Sequence, residues 1–242
     1  ELLLYRRGIQ VTSGNALAAR LAKSALDLGI PILTQTSARQ LLKDADRVTG
    51  VIAQTEGGEV RFEARQGVVL ASGGFSHDLQ RLQQAYPHVH RGGEHFSPVP
   101  QTNTGDGARM AEALGGSVDI RLKAPAAWMP VSKVPMGNGS FTAFPHLLDR
   151  YKPGVIGVTR NGQRFTNESN SYHDVGAAMI EACANQTETA MWLICDRRTM
   201  AKYGLGYAKP APMPLAPLLR NGYLHSGRTL AQLAQNAGLD AA

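Results

Sequence analysis

Three consecutive residues, Tyr172, His173 and Asp174, each carry a group that can exchange a proton. Phenol, imidazole and carboxyl groups are among those that general acid–base catalysis uses. A tyrosine has an ordinary pKa of about 10, so it needs a suitable neighbour or an aligned dipole before it can act as a base. His173 is one possible neighbour, although we expect it to be an ordinary surface histidine.

The residues around this trio also have a purely structural interpretation. Arg164 and Glu168 stand four apart in the run Arg-Phe-Thr-Asn-Glu and can form an ion pair. Asp174 can cap the helix that we expect after it. Neighbours in sequence need not face one site, so the proton-transfer and the structural interpretations both stay open.

A second motif is notable for its small side chains. Residues 67–75 read Gly-Val-Val-Leu-Ala-Ser-Gly-Gly-Phe. The apolar start of this run lacks alternation, which predicts a strand over residues 67–72 that is buried on both faces. Ligands of α/β sheets bind beyond the carboxyl ends of such strands, and larger side chains there would block a dinucleotide. A plain strand-to-helix turn is the alternative.

A third motif, Asn-Thr-Gly-Asp-Gly over residues 103–107, precedes a predicted helix. The N–H groups at a helix start favour anionic or polar ligands. Asp106 could instead be an N-cap or first-turn acid, which is a common use of aspartate. The motif gains weight because it follows the small-residue run by about thirty residues.

The elements that would position these residues follow from periodicity and turn residues. We predict helices over residues 14–28, 76–86, 106–114, 175–184 and 229–239, strands over 31–42, 48–55, 60–64, 67–72 and 190–195, a loop over 87–102, and a hairpin over 157–165 with its turn at Asn161-Gly162. Ser13 or Asn15 would cap the first helix, and Gly29 would end it. The next three strands would form a β-meander. Prolines become frequent after residue 123, where we place a domain boundary.

Composition excludes several classes of function. The 242 residues are 43% hydrophobic and 18% charged, with a net charge of +6. The basic residues form no stripe with interleaved aromatics, so we expect no nucleic-acid partner. No apolar run reaches the roughly 18 residues of a transmembrane segment. Cys183 and Cys195 offer neither metal-ligand spacing nor a disulfide framework, so we expect no metal and two buried, reduced thiols in a cytoplasmic protein.

Taken in order, the motifs resemble those of the fumarate reductase and succinate dehydrogenase flavoprotein superfamily. The resemblance rests on Val-Val-Leu-Ala-Ser-Gly-Gly-Phe, on Thr-Asn-Thr-Gly-Asp-Gly and on Gly-Val-Ile-Gly-Val-Thr-Arg-Asn-Gly-Gln-Arg-Phe-Thr-Asn-Glu-Ser, and it covers nearly the whole chain. It implies an FAD-dependent oxidoreductase of the α/β (α+β) class. Residues 1–123 would belong to the FAD-binding domain and residues 124–242 to a capping domain on the substrate side.

The resemblance also implies roles for individual residues. The positions that match FAD contacts of the family are Ala38 on the adenine side, Ala71, Ser72, Gly73 and Gly74 at the strand end, and Asn103, Thr104, Asp106 and Gly107 near the flavin ribityl chain. All nine stand before residue 124, in the part that resembles the FAD-binding domain.

The substrate-side residues distinguish two branches of the superfamily. Fumarate reductases have Thr-Thr-Arg-Asp after the Arg-Phe motif, and that arginine donates the proton. This chain has Ser-Tyr-His-Asp over residues 171–174, and residues 124–130 lack the histidine that fumarate reductases place there. Tyr172 after Arg-Phe-Thr-Asn-Glu-Ser is similar to the 3-ketosteroid dehydrogenase branch, as are residues 2–8 and 13–17. In that branch the matching tyrosine removes a proton from the carbon beside the one that loses hydride.

The Gly-x-Gly-x-x-Gly loop that seats the pyrophosphate in this superfamily does not occur in the 242 residues. The chain also starts in mid-pattern without Met. We therefore expect an internal piece of a longer protein, which by itself neither holds FAD tightly nor turns over substrate.

The leading hypothesis is a flavin-linked enzyme that dehydrogenates or reduces a carbon–carbon bond beside a ketone. Its small-molecule substrate would be a ketosteroid or a similar ketone, and the electron acceptor is left unassigned. One alternative is an enzyme of the fumarate reductase or succinate dehydrogenase type. Another is a non-catalytic structural module that keeps the fold, although such a module has no need for the small residues at 71–74.

Overall fold

The computed structural model describes residues 12–186 and 188–240. Its backbone divides into two compact units, residues 1–69 and residues 70–242. The opening segment 2–8, which contributed to the resemblance, lies outside the described residues. The division at residue 69 is a different one from the domain boundary predicted at residue 123, and that boundary stays a prediction.

The first unit contains one helix and a three-stranded antiparallel sheet, which confirms the predicted helix and meander. Its elements are α1 (Ser13–Asp27), β1 (Ser37–Asp44), β2 (Arg47–Thr55) and β3 (Gly58–Glu63), with the strand order β1-β2-β3. Gly29 ends helix α1, as predicted. The N–H of Gly29 donates a hydrogen bond back to the carbonyl of Leu26 at 3.0 Å. Its N-cap is Thr12 rather than Ser13 or Asn15.

The second unit carries seven helices and four strands within residues 70–186 and 188–240. They are α2 (Leu79–Ala85), α3 (Pro87–His90), α4 (Asp106–Glu112), β4 (Val131–Pro135), β5 (Phe141–Pro145), β6 (Val155–Val158), α5 (Tyr172–Ala182), β7 (Trp192–Cys195), α6 (Arg197–Tyr203), α7 (Ala216–Arg220) and α8 (Leu230–Ala237) — seven helices after α1 and four strands. Strands β4 and β5 pair as one antiparallel hairpin, and β6 pairs antiparallel with β7. Among all helices of the described chain, none is long and apolar enough to cross a bilayer.

The strand predicted over residues 67–72 is wrong for this structure. These residues have no regular secondary structure, and Val69 is 90% exposed. A strand that is buried on both faces needs partner strands for its backbone N–H and C=O groups. Within the described residues no strand pairs with this segment.

Two other predictions need correction, and one hairpin was not predicted. The hairpin over residues 157–165 has its predicted turn, since Gly162 N–H donates to the Thr159 carbonyl at 3.0 Å, but only the bridge between Val158 and Arg164 follows it. Strand β6 pairs with β7 instead. The predicted loop 87–102 begins with helix α3, and the proline-rich part after residue 123 contains the unforeseen hairpin β4–β5.

The main core of the second unit is aromatic. Leu82 and Ala85 of α2 are buried together with Tyr86 and Trp128. The Tyr86 and Trp128 rings meet edge to face with their centroids 4.8 Å apart. This arrangement adds a favourable quadrupole contact to the burial of apolar area.

Candidate functional site

The small-residue segment 71–75 and the turn 103–107 lie against each other. The N–H of Gly105 donates to the carbonyl of Gly74 at 3.0 Å. A Cβ atom added at Gly107 would lie 2.7 Å from the Ser72 Oγ, so glycine is what permits this close approach. The segment 71–75 and the turn 103–107 therefore form one surface, although the first of them is not the end of a strand.

Main chain is accessible on this surface. Residues 71–74 are all exposed, and a Cβ at Gly74 would meet nothing within 4 Å. Gly73 has a φ of +88°, a conformation that side chains disfavour, and a Cβ there would collide with the side chain of Asn103. Asn103 and Thr104 are half-buried beside it.

Asp106 is the first residue of α4, whose N-cap is Gly105. The Oδ1 atom of Asp106 accepts hydrogen bonds from Arg109 at 2.5 Å and from the Thr104 hydroxyl at 3.2 Å. Arg109 also contacts Asp78 at 2.8 Å. Asp106 is thus a first-turn acid, the structural use that the sequence left open, and its carboxylate remains exposed.

A charged network connects the turn to two helices. Asp78 caps α2 by accepting the N–H of Arg81 at 3.2 Å, and Arg81 reaches Glu112 at 2.9 Å. The hydrogen bond from Arg81 lowers the pKa of Glu112, and the charges of Arg81 and Arg109 act in the same direction. Because Arg109 joins Asp78 to the turn, the network holds α2 and α4 around residues 103–107.

Tyr172 is the first residue of α5, and its side chain is exposed. The residue before it, Ser171, caps the helix by accepting the N–H of Asp174 at 3.2 Å, and its hydroxyl donates to the Asp174 carboxylate at 2.8 Å. Asp174 therefore supports the helix start, much as the structural interpretation expected, and the cap itself is Ser171.

His173 is half-buried, so the expected surface histidine is wrong. Its Nδ1 atom accepts a hydrogen bond from the backbone N–H of Trp128 at 3.1 Å. At Gly176 a Cβ would lie 2.7 Å from the Trp128 Cβ. These two contacts hold the first turns of α5 tightly on the segment that contains Trp128.

Arg164 and Glu168 form the ion pair that the structural interpretation predicted. The Nε–Oε1 and Nη2–Oε2 distances are 3.0 and 2.6 Å, and Glu168 is only 6% exposed. Burial raises the pKa of Glu168, but the hydrogen bonds from Arg164 and from the Gly157 N–H outweigh it and lower the pKa overall. The pair ties β6 to the chain that leads into α5.

Ala38 belongs to the first unit. It lies on β1 opposite Ala53 of β2, and the register shifts between Ala38 and Gln40. Its side chain is exposed. A bulge of this kind bends the strand and leaves main chain accessible.

The segments of the second unit that carry the predicted site residues rest on one core. Phe75, which follows Gly74, packs against the cluster of Leu82, Ala85, Tyr86 and Trp128. Ala177, which stands on α5 with Tyr172, packs against the same cluster. Packing thus connects the small-residue surface to the helix that presents the tyrosine.

Sequence reasoning missed a group of four hydrogen-bonded side chains, Ser132, His146, Asp149 and Tyr223. Ser132 and Tyr223 are 91 positions apart, so no local sequence motif predicts the group. Both cysteines are free thiols, Cys183 buried as predicted and Cys195 half-buried. Among residues 12–186 and 188–240 no cluster of His, Cys, Asp or Glu could hold a metal ion.

Comparison with known families gives a match over residues 2–241 to the family described as FAD binding domain. The chain belongs to this family. A 4-oxocyclohex-2-ene-1-carboxylate 5-dehydrogenase from Sinomonas cyclohexanicum is 42% identical over 98% of the chain and 40% of that relative. A 3-oxosteroid 1-dehydrogenase from Mycolicibacterium smegmatis is 31% identical over 96% of the chain and 41% of that relative. The chain thus spans about two fifths of the length of these relatives.

Solved structures confirm the mixed α/β fold. A 3-ketosteroid Δ1-dehydrogenase from Sterolibacterium denitrificans, in complex with 1,4-androstadiene-3,17-dione, aligns with a TM-score of 0.76 at 32% identity. The alignment covers 94% of this chain and 41% of that one. A flavocytochrome c3 fumarate reductase aligns with a TM-score of 0.56 at 21% identity, which shows a shared fold.

FAD is the cofactor of this family, and the residues present fit it. The exposed main chain at residues 71–74 has the small side chains that a close-lying dinucleotide requires, and the neighbouring turn 103–107 adds polar groups. A Cβ at Gly73 would disturb Asn103, so this surface depends on the glycine.

Proposed function

We propose that the protein is an FAD-dependent oxidoreductase that dehydrogenates a carbon–carbon bond beside a ketone. The observation that carries the proposal is the shared core, on which the small-residue surface and the helix bearing Tyr172 both rest. The Sinomonas and Mycolicibacterium relatives act, by their names, on cyclic ketones, which supports the same class of substrate.

The proposed FAD contacts are the residues that the sequence singled out. They are Ala38 in the first unit, and Ala71, Ser72, Gly73, Gly74, Asn103, Thr104, Asp106 and Gly107 in the second. FAD bound there would supply the hydride acceptor. Arg109 and Thr104 hold the Asp106 carboxylate in place, since both bond to its Oδ1 atom.

Tyr172 is the proposed base that removes the proton from the carbon next to the ketone. Its exposure leaves the phenol accessible to a ligand, and it is the first residue of α5. His173 holds the helix by its bond to Trp128. We assign His173 a positioning role and no proton transfer.

For the substrate we favour a small alicyclic ketone over a steroid. The identity to the oxocyclohexene-carboxylate dehydrogenase is 42%, against 31% for the oxosteroid dehydrogenase, over nearly the same residues. We also propose a cytoplasmic protein without a nucleic-acid partner. The two free thiols and the scattered basic residues support this.

Replacing Tyr172 with Phe in the full-length flavoprotein tests the proposal. We expect ketone dehydrogenation to fall by about 10²-fold or more, as for the loss of a general base, while dithionite still reduces the flavin. Initial rates are measured with an oxocyclohexane carboxylate and with a 3-ketosteroid. Tyr151→Phe is the matched control, because Tyr151 and Tyr172 are both 41% exposed.

Two outcomes would contradict the proposal. Unchanged turnover of Tyr172→Phe would remove this residue from the mechanism. A full-length protein without bound flavin would instead favour a structural module, and it would exclude the oxidoreductase altogether.

A further inference from the structure

Ser132, His146 and Asp149 are arranged in a line of hydrogen bonds. Ser132 lies on β4, and His146 follows β5, the strand that pairs with it. The His146 Nε2 atom is 3.0 Å from the Ser132 Oγ, and its Nδ1 atom is 2.6 Å from the Asp149 Oδ2. His146 is only 7% exposed. A serine, a histidine and an aspartate in this order form the constellation that activates a hydroxyl as a nucleophile.

Asp149 fixes the orientation of the imidazole. Its Oδ2 atom also accepts the N–H of Gly206 at 3.0 Å. Burial raises the pKa of Asp149, but the hydrogen bond from His146 and the backbone N–H bonds outweigh it, so the pKa is lowered overall. An ionised Asp149 places the imidazole proton on Nδ1. The unprotonated Nε2 then faces the Ser132 hydroxyl and can accept its proton.

Tyr223 supplies a hydrogen-bond donor beside the serine. Its hydroxyl oxygen lies 2.9 Å from the Ser132 Oγ and accepts the N–H of Tyr207, also at 2.9 Å. The backbone N–H of Tyr207 occupies one lone pair of the phenol oxygen. The phenolic proton can therefore point towards Ser132. Tyrosine hydroxyls in such positions can stabilise the oxyanion of an acyl-transfer intermediate.

A cavity adjoins the three groups. It has a volume of about 210 Å³ and is lined by Ser132, His146 and Tyr223 together with apolar side chains such as Leu193 and Leu205. Pockets for drug-sized ligands start at roughly 300 Å³. The cavity therefore suits a small ester with a short, apolar acyl group.

We propose that Ser132 is an activated nucleophile that takes the acyl group of a small ester, an activity separate from ketone dehydrogenation. The Ser132 Oγ bonds to the ester carbonyl carbon while its proton passes to His146 Nε2. The carbon–oxygen bond to the alcohol then breaks, and the alcohol leaves with that proton. Water attacks the acyl-serine in the same way, with His146 accepting and returning its proton, and releases the carboxylic acid.

Covalent labelling of the flavin-loaded, full-length protein tests the proposal. A fluorophosphonate reacts at an activated serine: the Oγ–phosphorus bond forms, the phosphorus–fluorine bond breaks, and the proton passes to His146. We expect mass spectrometry of digested protein to locate the label on Ser132. We also expect p-nitrophenyl acetate to compete with the label. Ser140 is the internal reference, because it is an exposed serine in the same β4–β5 hairpin region.

The variants separate activation from structure. Ser132→Ala should abolish labelling, whereas Ser140→Ala should leave it unchanged. Asp149→Asn should slow labelling of Ser132 by about tenfold or more, and Asp149→Glu should restore part of the rate, since Asp149 acts by positioning His146. Labelling of wild-type Ser132 no faster than Ser140 would overturn the proposal, and this result needs no variant to fold. Dehydrogenase rates would not decide this outcome.

Discussion

The two units of the chain differ in how they are stabilised. Within residues 12–69, backbone ladders and turns are well formed, but the buried hydrophobic residues are only Leu41 and Ala53. Helix α1 leaves Leu17, Leu21 and Leu26 more than 60% exposed. Within residues 70–186 and 188–240, an aromatic core is buried, and the ion pairs of Arg81 and Arg164 involve half-buried or buried partners.

A unit with its own buried core can hold chemical groups at more accurate positions. Hydrogen-bonded elements can form with little apolar burial, but burial supplies most of the favourable free energy of folding. Tyr172 and the turn 103–107 both belong to the unit that has its own core. Ala38 belongs to the unit that has little buried core. Local packing therefore contributes less to the position of its proposed contact on the adenine side.

The largest expected difference in unfolding free energy comes from truncating one apolar side chain in each unit. Trp128→Ala removes a ring that is 6% exposed and should cost about 3–5 kcal/mol of unfolding free energy. Leu21→Ala, at 62% exposure, should change it by less than about 0.5 kcal/mol. Urea denaturation followed by circular dichroism measures both. Equal losses would show that the aromatic core does not distinguish the two units.

A second contrast depends on pH. Burial lowers the pKa of His88 to about 4 from 6.5, and the charges of His95 and Arg91 act in the same direction. Below pH 6.5 the unfolded chain gains a proton that the folded chain does not, so stability is lost as the pH falls towards 4, by about 2–3 kcal/mol. His88→Phe should flatten this dependence.

The control for the pH series is His90→Phe. His90 lies on the same short helix α3 but is exposed. Unfolding free energies at several pH values between 6.5 and 4 should keep the wild-type slope in this variant. A wild-type slope in His88→Phe as well would refute a neutral, buried His88.

The smallest expected change in stability comes from replacing a helical glycine with alanine, and it should have opposite signs in α5 and α1. Gly176→Ala places a Cβ 2.7 Å from the Trp128 Cβ and should cost about 1–2 kcal/mol. Gly14→Ala in α1 meets nothing within 4 Å and should stabilise by up to about 1 kcal/mol, because alanine favours the helix. Thermal unfolding compares the pair. A stabilising Gly176→Ala would mean that α5 lies farther from Trp128.

Local signals predicted much of the secondary structure. Helix α1 and its end at Gly29, the three strands of the meander, and helix α5 all follow from periodicity, capping residues and short turns, which act within a few residues. The Arg164–Glu168 pair was also foreseeable, because its members are four positions apart. The predicted strand at 67–72 failed because a strand depends on partners elsewhere in the chain.

Most element types, the family resemblance and the residues with chemical potential could therefore be read from the sequence. Which of these residues meet depends on the folded chain. It placed His173 against Trp128 and joined Ser132 to Tyr223 across 91 positions. Propensities and caps act over a few residues, whereas burial, hydrogen-bond geometry and charge compensation depend on neighbours that only the folded chain brings together.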